Sequence, residues 1–334
     1  MLSRQSGAKQ KEPTAELITE SWAASVLPRR RAGAHKWSVG GIVVVAGSPP
    51  FAGAAALCCA AAGRSGAGII SAALPRSIVP VVVGLVPEVT VVILPEGESN
   101  SVAARAAEAI GERLERSAAM VVGPGLGDDA ATAALLGTLF GFIRVRDSIG
   151  FGTAAPGSEA VGLEGTIAAA GKPVVVDADG LNWLAQQESW WERIPAELMV
   201  LTPHPGEMAR LVGVDVDEIV ENPEDAAGEA ATRWRQTVVL KGGRTVVASA
   251  GGAILAVDTP PSLATAGSGD VLCGSIGGLL AQGLSGPDAS ALAAFVGCRA
   301  ADRVSAQYGT LGIVAGDLPQ AIAAELRALE ELGA

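Results

Sequence analysis

Four short aliphatic runs, each closed by a polar or glycine-rich turn, restrict this chain to a small set of folds. They are Gly41-Ile42-Val43-Val44-Val45-Ala46, Ala119-Met120-Val121-Val122-Gly123, Pro173-Val174-Val175-Val176-Asp177 and Leu198-Met199-Val200-Leu201-Thr202. Polar residues do not alternate within them, so each reads as a strand buried on both faces, as in a parallel sheet covered by helices. Further strands are expected at 68–74 and 89–94, with helical stretches at 54–64 and 101–116. The alternation predicts an α/β protein with a largely parallel central sheet flanked by helices on both faces. Runs at 237–240, 244–249 and 253–257 read as hairpin-connected strands at one end of that sheet, and helices are expected at 269–283, 288–308 and 317–332. Residues 1–35 read as a loose N-terminal arm with a short helix over 15–27, and 36–334 as a single domain. The glycine- and small-residue-rich stretch 144–165 reads as a surface insertion.

Composition excludes several function classes. The chain has 334 residues, 49% of them hydrophobic, so a large core is available. Its net charge is -11 and no Lys/Arg stripe occurs, which argues against nucleic acid as a partner. Cys58, Cys59, Cys273 and Cys298 lack metal-ligand spacing and read as small core residues in a reducing compartment. No uninterrupted apolar run reaches the roughly 18 residues of a membrane span, and the charged first 25 residues lack a signal-peptide core. A cytoplasmic protein is expected.

In a parallel sheet, ligands bind beyond the carboxyl ends of the strands. The chain places Gly47–Gly53, Gly123–Gly127, Asp177–Asn182 and Thr202–Glu207 at those ends. Further on, Thr265-Ala266-Gly267-Ser268-Gly269-Asp270 feeds an apolar helical stretch. Open amides at a helix N-terminus bind anions, and glycines allow close approach. Asp270 is then either a general base toward a hydroxyl or simply the N-cap of the helix. Lys241, at a strand end, either reaches a nucleotide phosphate or snorkels from an edge strand. Glu207 either holds Mg²⁺ through water or is a first-turn helix acid. With only two histidines, His35 and His204, a His/Cys metal site is implausible. Neither a P-loop nor a dinucleotide-binding Gly-x-Gly-x-x-Gly fingerprint is present.

Taken together, these turns resemble the ADP-dependent NAD(P)H-hydrate dehydratases, repair enzymes of the ribokinase-like fold. The resemblance rests on Ala46-Gly47-Ser48, Gly123–Gly127, Asp177-Ala178-Asp179-Gly180-Leu181-Asn182, Thr202-Pro203-His204-Pro205-Gly206-Glu207, Lys241-Gly242 and the Gly-Ser-Gly-Asp loop. It implies hydrated NADH or NADPH as substrate, and ADP, or ATP in some branches, as phosphoryl donor with Mg²⁺. It further implies that Ala54, Gly125, Gly127, His204 and Asp270 line the hydrated-dinucleotide site. Lys241, Gly242, Gly243, Arg244, Thr245, Gly267, Ser268 and Gly269 would line the nucleotide site. Many relatives carry an epimerase domain in front; with about 35 residues before the first strand, the dehydratase alone is expected here. A homo-oligomer is expected as well. The chain departs from the family pattern at Phe51, at 258–263 and in the 144–165 stretch. Two rivals stay open: a small-molecule kinase of the same fold, and a non-catalytic nucleotide-binding regulator.

Overall fold

The computed structural model describes residues 15–143 and 165–333. The stretch 144–164, read above as a surface insertion, lies outside them. Ten strands form one sheet: β1 Glu16–Leu17, β2 Gly41–Val45, β3 Ile69–Pro75, β4 Thr90–Leu94, β5 Ala119–Val122, β6 Val174–Val176, β7 Met199–Leu201, β8 Thr237–Leu240, β9 Arg244–Ala248 and β10 Ile254–Asp258. Their order is β1-β10-β9-β8-β7-β6-β5-β2-β3-β4. From β4 through β8 every pairing is parallel. The antiparallel pairs β8–β9 and β9–β10 are the hairpin-connected strands expected at one end.

The unbroken aliphatic character of β2 follows from burial on both sides. Ile42, Val44 and Ala46 enter one core, and Val43 and Val45 enter the other. All five are fully buried. Each of the isoleucine and valine side chains contributes about 1.5–3 kcal/mol of transfer free energy. One core lies under the helices Ala52–Arg64, Ser268–Ala281, Gly286–Tyr308 and Leu318–Leu332. The other lies under Asn100–Glu115, Ala130–Leu139, Asp179–Leu184, Pro205–Val212 and Pro223–Trp234.

One expectation is corrected near the N-terminus. The helix runs over Glu20–Val26, and Glu16 and Leu17 pair in parallel with Leu255 and Ala256 of β10. Ile18, Ala23 and Leu27 are buried in the first core, so these residues are fastened to the sheet and its helices. A 15–27 helix would have left the outer edge of β10 without a backbone partner.

Strand order reverses at β2, which has β3 on one side and β5 on the other. The chain leaves the ends of these strands in opposite directions and opens a crevice there. The helix Ser268–Ala281 reaches this crevice because it packs unusually close to Ala52–Arg64. A Cβ on Gly274 would lie 2.1 Å from the Cys58 carbonyl oxygen, and one on Gly278 2.6 Å from that of Ala62. Among the described residues, no helix is long and apolar enough to cross a membrane.

Candidate active site

The strand-end turns are bonded into one floor. The Gly47 amide donates to the Pro124 carbonyl at 2.8 Å, and Ser48 Oγ donates to the Gly125 carbonyl at 2.8 Å. The Gly127 amide donates to Asp179 Oδ2 at 2.8 Å. The Lys241 amide donates to the Pro203 carbonyl at 2.8 Å. Gly125 sits against Phe51 and Ala54, with space for a Cβ only 2.7 Å and 2.9 Å from their Cβ atoms. The structure thus gathers Ala54, Gly125 and Gly127 at one corner.

Asp270 is not an N-cap. That position is Gly267, held at φ 90°, ψ -9° and offering no capping side chain. A left-handed conformation of this kind favours glycine. A Cβ there would also lie 2.6 Å from Leu57 Cδ1. Asp270 is the third helical residue, with its carboxylate free for other work. The Ser268 amide is spent on the Thr265 carbonyl at 3.3 Å. Of the amides from Gly267 to Asp270, all but that of Ser268 have no acceptor among the described residues. They and the helix dipole form a locus for negative charge.

Beside this locus lies a buried charge cluster. Lys241 Nζ donates to Asp177 Oδ1 at 2.8 Å and lies 3.8 Å from Glu207 Oε2. Asp177 is 2% exposed. A Cβ on Gly269 would be 3.4 Å from Lys241 Nζ, so the ammonium rests against the first turn of the Asp270 helix. β8 is flanked by β7 and β9, which removes the edge-strand reading of Lys241. Burial alone would lower the Lys241 ammonium, but the Asp177 and Glu207 carboxylates outweigh it and hold the value above normal. Burial pushes the Asp270 carboxyl up to about 6; Asp177 and Asp179 add to the rise and Lys241 opposes it. A carboxylate tuned toward neutrality is suited to accept a proton near physiological pH.

Two cavities flank the cluster. One, of about 350 Å³, is bordered by Lys241, Gly242, Gly243, Thr245, Ser268 and Gly269 and backed by apolar side chains including Leu272 and Ile322. A polar mouth and an apolar back wall suit a nucleotide, with phosphates outward and a base inward. The other, of about 600 Å³, is bordered by Phe51, Gly127, Asp128, Asp179, Asn182 and Arg210.

Two expected residues sit differently, and Glu207 serves the first turn of its helix. Arg244 does not face the first cavity: its guanidinium pairs with Asp258 at 2.9 Å and Glu224 at 3.3 Å. His204 lies on the wall of the Lys241 cavity rather than at the Ala54–Gly125 corner. Its Nδ1 accepts from the Gly206 and Glu207 amides at 3.0 and 3.3 Å, capping Pro205–Val212. Glu207 completes that capping box, with Oε2 accepting from the His204 amide at 2.8 Å. Among the described residues, no group of three or more His, Cys, Asp or Glu could hold a metal ion on its own.

Sequence reasoning passed over Asp177, Asp179, Asn182 and Arg210 as individual site residues. The Asp-x-Asp spacing at a strand end was the available signal. Ala178 between the two acids takes φ 49°, ψ -115°, a conformation that a non-glycine residue adopts only when its surroundings enforce it.

The sheet order and the helix carrying Asp270 place the chain in the ribokinase-like class. Solved structures agree on the fold. A ribokinase-like superfamily protein of Enterococcus faecalis superposes with TM-score 0.74 at 19% identity, covering 97% of this chain and 99% of its own. The ADP/ATP-dependent NAD(P)H-hydrate dehydratase of Bacillus subtilis, crystallised with ATP and Mg²⁺, gives 0.74 at 24% identity over 95% and 99%. Residues 42–324 match the carbohydrate-kinase family model described as NAD(P)H-hydrate dehydratase, and the chain belongs to that family. A bifunctional NAD(P)H-hydrate repair enzyme of Moorella thermoacetica is 37% identical over 94% of this chain and 54% of its own length. A namesake in Salinibacter ruber is 36% identical over 87% and 49%. The chain therefore spans about half the length of the curated relatives it matches.

Proposed function

We propose that this protein restores hydrated NADH or NADPH to the reduced dinucleotide at the expense of an adenine nucleotide. The observation that carries the reading is the Asp270 carboxyl, tuned to about 6 and set at the open amides of Gly269 and Asp270 beside a nucleotide-sized cavity. Family membership and the names of the relatives supply the substrate. The ADP/ATP dependence of the B. subtilis protein supports an adenine nucleotide as donor. ADP is the donor we favour, giving AMP and phosphate.

The chemistry follows from the poor leaving ability of hydroxide. Asp270 takes the proton of the ring hydroxyl as its oxygen attacks the terminal phosphorus of the nucleotide. The O–P bond to the hydroxyl forms and the bridging P–O bond of the donor breaks. The Gly269 and Asp270 amides hold the equatorial oxygens of the transferring group, and Lys241 offsets donor charge. The ring nitrogen lone pair then expels phosphate with the C–O bonding electrons. Loss of a proton from the adjacent ring carbon restores the double bond. A divalent cation would be held by donor phosphates and water, since Mg²⁺ favours few protein ligands. Glu207 would reach it through water, because its Oε2 serves the capping box. That cation would neutralise the donor phosphates.

Both cores share the one sheet, which supports reading 36–334 as a single domain that also takes in the 16–27 segment fastened to it. We further propose a cytoplasmic homo-oligomer; exposed Val81, Leu85 and Ile93 supply apolar surface for it. Incubation with hydrated NADH and ADP or ATP, followed by reduced-nicotinamide absorbance, tests the activity. Recovery of the absorbance is expected. A stable phosphorylated product would favour a small-molecule kinase, and binding without turnover a regulator.

A further inference from the structure

The second cavity carries a charge problem. A hydrated dinucleotide brings at least two phosphate charges, yet this wall holds Asp128 and Asp179. Among the described residues, Arg210 is the cation that borders it. Its Nη2 donates to Asn182 Oδ1 at 2.9 Å, which fixes the guanidinium plane and leaves its other N–H groups unspent on that partner. Asn182 itself borders the cavity, one helical turn beyond Asp179. Asp179 links the cavity to the reacting end, since its Oδ2 holds the Gly127 amide and its charge acts on Asp270. The Lys241 cavity is taken by the donor nucleotide, and the Gly127–Asp179 bond joins the 600 Å³ cavity to the Asp270 end, which gives the remainder of a dinucleotide a course past Gly127.

We infer that Arg210, oriented by Asn182, binds a phosphate of the dinucleotide substrate in this second cavity. The inference rests on the proposed function for the identity of that substrate. A planar fork pre-set by one hydrogen bond loses little freedom on taking a phosphate oxygen. The phosphate belongs either to the pyrophosphate bridge or to the 2′ position of NADPH, and both present the same anionic oxygens.

The test compares wild type with Arg210→Gln, Arg210→Lys and Asn182→Ala, on hydrated NADH and hydrated NADPH. Binding is measured by titration calorimetry without nucleotide, and turnover separately. Each variant is first checked for a native melting temperature. Losing a charge-assisted hydrogen bond predicts a roughly tenfold to hundredfold weaker affinity and higher KM for Arg210→Gln. Because the contact is remote from the reacting atoms, kcat should stay within about threefold of wild type. Arg210→Lys should recover part of the loss, and Asn182→Ala should weaken binding less than Arg210→Gln. Loss confined to hydrated NADPH supports the inference and assigns the 2′-phosphate; equal loss on both supports it and assigns the pyrophosphate. Unchanged affinity and KM for both hydrates in Arg210→Gln would overturn it. If wild type binds the hydrates without repairing them, the proposed function fails while the binding comparison still decides this inference. If wild type binds neither, both fail.

Discussion

Replacing Asp270 by Asn should make the protein more stable at pH 8 while removing most of its turnover. In the folded chain the carboxyl titrates at about 6, against 3.8 ordinarily, chiefly because burial penalises its charge. The unfolded chain therefore releases this proton at lower pH than the folded one. Stability falls as pH rises from about 4 to about 6, and the full cost persists above that window. The shift corresponds to roughly 3 kcal/mol. Asn has nearly the same shape and carries no charge, so it escapes this cost. Urea unfolding of both proteins at pH 8 should give a midpoint shifted upward in Asp270→Asn by an amount equivalent to a few kcal/mol, with an unchanged slope. At pH 4 the two midpoints should nearly coincide. Equal stability at pH 8, or an advantage that persists undiminished at pH 4, would refute the claim that Asp270 is held in an environment hostile to its charge.

Three further outcomes are expected. The kcat/KM for hydrate repair should fall about tenfold per pH unit below about 6, where Asp270 is protonated, and pH titration of the steady-state rate checks this. Lys241→Met should cost about 3 kcal/mol, because Asp177 is left buried without its cation; Lys241→Met with Asp177→Asn should recover much of that loss in urea unfolding. Arg244→Ala should leave adenine-nucleotide affinity within about twofold by titration calorimetry, since its side chain pairs with Asp258 and Glu224 outside the cavity.

The sheet was legible because strands buried on both faces leave an unmistakable aliphatic run, as β2, β5 and β6 do. β1 was not legible: two residues carry no period, and Glu16–Leu17 is defined only by its partner β10. The Gly267–Asp270 loop could be read from its glycines, but whether Asp270 caps its helix could not. The cap reading fell because Gly267 occupies the N-cap, a matter of backbone conformation. Likewise the edge-strand reading of Lys241 fell only when sheet order put β8 inside the sheet. Arg244 shows the opposite limit. It shares the Lys241–Thr245 turn, yet at the start of β9 its side chain meets Glu224 and Asp258. Asn182 and Arg210 are 28 residues apart, and sequence spacing gives no hint that they meet.

The central claim is that a phosphoryl group is placed on the substrate hydroxyl through Asp270 and then expelled. A single-turnover experiment with hydrated NADH and labelled nucleotide tests it most directly, following nucleotide cleavage, free phosphate and reduced-nicotinamide absorbance together. The account predicts one nucleotide cleaved and one phosphate released for each NADH recovered, with all three signals lost in Asp270→Asn. Recovery of NADH without nucleotide cleavage, or undiminished turnover in Asp270→Asn, would contradict it.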